Sequence, residues 1–203
     1  MPSTHRSRTT AFGAVLTAAG LAIPWGHASA QDAAVIVEAR GGVALPSGDF
    51  ADGSGPGEGA SPGASFGVDI AVAGGGRWTP YIGFSQHRLG CEDAGCVAGG
   101  EYVATGFHAG ARFVPMPEWP VLPWLGGGVV TTHVEAEDLG PANAGVSDLG
   151  VGGEVAVGVH IGSASRIALS PSVRWVSVTA QLPSGIDLGM QYLVVDLGVV
   201  LSF

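Results

Sequence analysis

Residues 192–203 constrain the fold more than any other segment. Leu193, Val195, Leu197, Val199, Leu201 and Phe203 fall on one face of an extended chain, and Tyr192, Val194, Asp196, Gly198, Val200 and Ser202 on the other. Alternation with a period of two is the signal of a half-buried strand, and a helical period of 3.6 does not reproduce it. The pattern recurs along the chain. It gives eight strands near 34–46, 64–73, 77–87, 102–114, 121–134, 150–162, 165–178 and 188–203. Long connections follow the first, third, fifth and seventh strands, and short ones follow the second, fourth and sixth. With an even number of strands, both ends of the sheet fall on the short-turn side. The expected fold is all-β: an eight-stranded antiparallel up-and-down barrel occupying residues 31–203 as one domain.

The first thirty residues stand apart. Residues 1–10 carry Arg6, Arg8 and His5 and no acid, residues 11–23 are an apolar run, and Ala28-Ser29-Ala30 is a small-x-small site. This is the layout of a secretory signal peptide, and the apolar run is shorter than a membrane helix requires. The remaining chain carries six arginines, no lysine and all seventeen acids, a net charge of −11. Such a balance, with no basic patch, excludes a nucleic-acid partner. Only 12% of residues are charged and the mean hydropathy is +0.37. A soluble domain carries about twice that charged fraction. Strands with one face in lipid account for both values.

Alternation alone allows two arrangements: a soluble lipocalin-like barrel with apolar residues inside, or a membrane barrel with them outside. The polar face decides between them. It reads Gly67, Asp69 and Ala71 in the second strand, and Ala104, Gly106, His108, Gly110 and Arg112 in the fourth. The sixth gives Glu154, Ala156, Gly158 and His160. Small residues with sparse charges suit the tight interior of an eight-stranded barrel, not a water-facing sheet. Eight charges are expected in that lumen: Glu38, Asp69, Glu154 and Asp196 against Arg40, Arg112, Arg166 and Arg174. Charges held there must pair, because an unpaired buried charge costs several kcal/mol. Asp196 with Arg174, on neighbouring strands, is the expected pair. Trp78, Phe113, Trp119, Trp124 and Phe203 are expected to form an aromatic girdle at the short-turn end. The faces of the fifth strand, around Leu122-Pro123-Trp124-Leu125-Gly126, are not assignable. Residues 47–63 read as a mobile loop that cannot pack a core.

Taken together, the chain resembles the small eight-stranded bacterial outer-membrane barrels, such as the transmembrane domain of outer membrane protein A. The carriers are the strand pattern, the terminal Leu201-Ser202-Phe203 and the segment Leu45-Pro46-Ser47-Gly48-Asp49-Phe50. The resemblance implies residence in the outer membrane of a Gram-negative cell, reached through the periplasm. It implies contact with the bilayer and lipopolysaccharide, and reading of Phe203 as a signal by the barrel-assembly machinery. A fold of this kind hosts several functions and does not choose among them.

Three functions are compatible with these residues. The first is a non-enzymatic, monomeric envelope protein with a filled polar lumen and acidic surface loops that attract divalent cations. Eleven of the acids lie in the long connections, but in no defined calcium-loop spacing. The second is a narrow porin-like pore, which eight strands leave little room for. The third is a lipid-modifying enzyme, for which Ser85 and His87 are the one close pair; both fall on the interior face, away from lipid. No catalytic residue, cofactor site or metal site is therefore expected. Cys91 and Cys96, the two cysteines, are spaced for a local disulfide in an exported protein. A free thiol pair, or a metal site needing more ligands than His87, are the alternatives.

Overall fold

The computed structural model describes residues 34–52, 59–91, 100–137, 145–162, 166–181, 185 and 187–203. Residues 1–30 and Cys96 lie outside them, as do the loop acids Glu58, Glu92, Asp93 and Asp138. Eight long strands form the wall: β1 Ala34–Pro46, β2 Gly63–Ala73, β3 Trp78–Cys91, β4 Glu101–Phe113, β5 Val121–Glu137, β6 Gly150–Ile161, β7 Ile167–Gln181 and β8 Asp187–Ser202. Each pairs antiparallel with its chain neighbours, and β8 returns to β1 with Val37 opposite Leu201 and Val43 opposite Val195. The seam finishes with Val35 and Phe203, which exchange backbone hydrogen bonds at 3.3 and 2.9 Å. The barrel is closed, so no strand edge is left to face lipid.

The strands run past their expected ends on the long-loop side, which we call distal. β3 continues to Cys91 and β5 to Glu137. Two short strands lengthen the wall there: Ala60–Ser61 pairs with the end of β3, and Gly145–Val146 with the end of β5. The acids Glu101, Glu135 and Glu137 therefore sit on strand extensions, and Glu101 lies directly opposite Glu137.

Exposure alternates along the wall strands, with a break in β4 where Tyr102, Val103 and Ala104 are all buried, and the apolar face is the outer one. Val157, Leu197, Val195, Ile70 and Ile82 are exposed, whereas Glu38, Asp69 and Arg174 are buried. This is the membrane arrangement of the two that alternation allows. On the outside, Gln86, Thr105 and His133 form one cross-strand row, and Ser177 lies opposite Gln191. Polar side chains thus begin at similar distal positions on both walls. Toward the short turns, Trp78 (62% exposed), Trp119 and Phe203 (77% exposed) face outward, and the Trp78 and Phe113 rings meet at 4.9 Å.

Trp124 does not join that girdle. It is 3% exposed and points into the lumen, where the Arg112 guanidinium lies 4.7 Å from its ring. The space for it comes from Gly158, directly across on β6: a Cβ there would stand 2.6 Å from the indole. Trp124 fixes the faces of β5, with Gly126, Gly128, Val130, Thr132 and Val134 following it on the inner parity.

The expectation that residues 47–63 pack no core also fails at one point. Gly48, with φ of 63°, turns the chain into a short helix, Asp49–Asp52, and the Gly48 carbonyl accepts from the amides of Ala51 and Asp52. The helix tucks Phe50 (1% exposed) into the distal mouth, against Tyr102 at a ring distance of 5.5 Å. Below it lies an apolar cluster that includes Leu89, Val134, Val178, Leu188, Met190 and Tyr192. The charged side chains of the lumen therefore lie in the half nearer the chain ends, and apolar ones dominate the distal half.

Candidate functional site

Asp69 is the hub of the polar half. It sits opposite Glu38 in the β1–β2 ladder, so two carboxylates, each 1% exposed, share one place in the lumen. Arg112, reaching in from β4, separates them: Nη1 lies 2.5 Å from Glu38 Oε2 and Nη2 donates to Asp69 Oδ2 at 2.6 Å. A planar guanidinium suits this, because its fork can serve two acceptors at once. Arg40 also donates to Asp69, and its Nε stands 3.6 Å from Asp196 Oδ2. His108 Nε2 lies 2.7 Å from Asp69 Oδ1. That bond requires the proton on Nε2, so the 3.3 Å approach of Arg40 to the same nitrogen is a contact and not a second bond.

A second centre lies on β6 and β7. Arg174 Nη1 is 2.8 Å from Glu154 Oε1, and the Tyr81 hydroxyl donates to the same oxygen at 2.7 Å. Arg174 Nη2 is 4.0 Å from Asp69 and joins the two centres. Asp196 accepts from Ser172, its direct cross-strand neighbour. The expected Asp196–Arg174 pair is thus replaced: Asp196 is served by Ser172 and Arg40, and Arg174 turns to Glu154.

Of the eight expected lumen charges, Glu38, Arg40, Asp69, Arg112, Glu154, Arg174 and Asp196 are buried together. Arg166 is not among them. It is exposed, one residue before β7 begins, where its carbonyl accepts from the Ser202 amide. A residue in a turn has no fixed parity, which is why alternation misplaced it. His108 stands in the lumen beside Asp69 instead. The sequence offered a signal for it, since His108 lies on the inner parity two positions from Gly106 and Gly110.

Glycine makes room for these long side chains. A Cβ at Gly67 would stand 2.8 Å from the Arg40 guanidinium carbon, and one at Gly83 would collide with Asp69 and His108. At the lower mouth, Trp124 Nε1, His160 Nε2 and Ser170 Oγ are buried with no hydrogen-bond partner among the described residues.

Ser85 and His87 are both buried on the inner face. His87 Nδ1 bonds to Ser65 Oγ at 2.9 Å, across the β2–β3 ladder, and its ring lies 5.0 Å from Tyr192. No carboxylate is hydrogen-bonded to His87 among the described residues, so the described geometry does not build a nucleophile–base–acid set. Cys91 is buried at the end of β3, its sulfur 3.8 Å from the Tyr102 hydroxyl.

No family model matches the chain, and no curated protein matches it in sequence. Solved structures do match in shape. Neisserial surface protein A superposes with a TM-score of 0.61 at 14% identity, covering 85% of this chain and 97% of its own. The outer membrane protein OprG from Pseudomonas aeruginosa gives 0.56 at 12% identity, with 82% and 95% covered. Ail of Yersinia pestis, solved with the heparin analogue sucrose octasulfate, gives 0.50 at 14% identity, with 84% and 98% covered. The chain has the fold of the small eight-stranded outer-membrane barrels.

Proposed function

We propose that this is a non-enzymatic outer-membrane protein whose lumen is a structural filling and whose working surface is its distal rim. The observation that carries the reading is the content of the lumen. Cross-linked charges occupy the half nearer the chain ends, and apolar side chains under Phe50 occupy the distal half. An ion entering from the short-turn mouth next meets the apolar cluster under Phe50, where an unpaired charge costs several kcal/mol. On this reading residues 1–30 direct export, Phe203 is read during assembly, Cys91 and Cys96 join in a local disulfide, and the barrel is monomeric.

The rim supports a cation-attracting surface. Among the described distal residues, Asp49, Asp52, Glu101, Glu135, Glu137, Asp148 and Asp187 face one arginine, Arg88. This balance disfavours a sulfated polyanion of the kind bound to Ail and favours divalent cations that bridge the rim to anionic lipid headgroups.

Planar-bilayer recording on the refolded full chain tests the filled lumen. The expected outcome is no unitary current. Reproducible single-channel steps from pure protein would overturn the reading in favour of a narrow pore.

A further inference from the structure

The outer wall from β2 to β5 carries a groove of about 550 Å³, within the range of roughly 300–1,000 Å³ typical of small-molecule sites. Its sides are Ile70, Ile82, Phe84, Phe107 and Val129. The depression follows from one small residue, because Ala109 stands in a cross-strand row between Ile82 and Val129. Phe84 and Phe107 meet edge to face at 5.6 Å on the distal side. The Thr131 hydroxyl donates to the Phe107 carbonyl at 3.3 Å, so the groove's one side-chain donor is already used.

The next row outward changes character at once. Gln86, Thr105 and His133 follow one another in register, and Gln86 Nε2 donates to Thr105 Oγ1 at 3.2 Å. One row farther out, the exposed Arg88 guanidinium stands 3.8 Å from Glu101. The groove therefore begins where the apolar belt ends and runs toward the middle of the belt.

We propose that this groove is a site for one acyl chain of an intact, phosphate-bearing membrane lipid. The chain lies on Ala109 between Ile82 and Val129, and the headgroup rests at the level of Gln86, His133 and Arg88. The proposal depends on the membrane-barrel reading above. Three observations choose this occupant. The groove lies within the belt that lipid tails cover, so a water-borne ligand would have to cross the headgroup layer to reach it. At its outer end the exposed Arg88, loosely held by Glu101 at 3.8 Å, is the one described cation that a phosphate can share, and a hydrocarbon tail suits its lining. A second copy of the barrel presents a convex wall, which meets a concave groove only at its rims and leaves Ala109 uncovered. A chain held on three sides gains more dispersion contact than one lying on a smooth wall, so it should exchange more slowly than its neighbours.

The test is intact-mass measurement of full-length protein refolded into vesicles of phosphatidylglycerol with 14-carbon chains, then extracted in mild detergent. The expected result is one phospholipid retained by the wild type and by Leu197→Phe on the other wall. Retention should fall at least tenfold in Ala109→Phe and in the smaller filling variant Ala109→Leu. Equal retention in the filled variants overturns the site, as does a free fatty acid, the mass of a protein dimer, or a folded wild type with no lipid. Gel mobility with and without boiling is scored on the same samples. A heat-shifted barrel without lipid defeats this site alone, whereas protein that neither shifts nor enters vesicles defeats the membrane reading beneath it.

Discussion

Asp69 accepts from Arg40 and Arg112 and bonds to His108, so three side chains from β1 and β4 depend on one carboxylate. Removing it leaves two guanidinium groups short of a partner in a buried place. Asp69→Ala is expected to destabilise the folded barrel by about 3–5 kcal/mol, read from urea unfolding in vesicles. Asp196→Asn should cost less, about 1.5 kcal/mol, because Arg40 keeps Asp69 and only one weaker approach and the Ser172 bond are altered. Equal losses in the two variants would contradict a hub at Asp69. At this scale the inward parity of seven charges was legible in the sequence, because alternation fixes which way a strand residue points. Their pairing was not legible. An arginine is long enough to pass its nearest neighbour, and Arg112 on β4 reaches Glu38 on β1.

Strands are where alternation carries the most information, and it fails where the two faces become alike. Along β8, Asp196 and Gly198 contrast with Leu197 and Val199, but farther up Leu188, Met190, Tyr192 and Val194 are apolar and buried. The apolar half of the lumen was hidden in this way. In β5 the run Gly126-Gly127-Gly128 gives no contrast at all, and the inward turn of Trp124 depends on Gly158 across the ladder. The outer belt also makes a prediction at this scale. Val157→Arg, within the belt, should cost about 2–4 kcal/mol, and Ser177→Arg, in its distal polar margin, about 0–1 kcal/mol. Matched urea titrations of the two variants in vesicles check the difference, and a reversed order would shift the belt along the axis.

The whole molecule has two fillings in series, and they fail independently. Phe50→Ala removes the cap and leaves a cavity beneath the short helix, at an expected cost of about 3 kcal/mol in the same unfolding assay. The charged layer below is untouched, so bilayer recordings of this variant should stay silent. Unitary currents in Phe50→Ala but not in wild type would make Phe50 a gate and not a plug. The closed architecture and the outward apolar face were readable from strand count and loop lengths. The plug was not, because a single aromatic in a loop rich in turn formers carries no periodic signal.

The seam between β1 and β8 joins segments from opposite ends of the sequence, with Ile36 opposite Ser202 and Pro46 opposite Tyr192. Contacts so far apart in the chain can form only after nearly all of it has been made. An unclosed sheet in hydrocarbon would expose two rows of unpaired amides and carbonyls, each costing several kcal/mol. A partly built wall is therefore no smaller version of the finished one. Insertion and closure become a single cooperative event, and the last ladder to form decides whether the other seven persist in the bilayer.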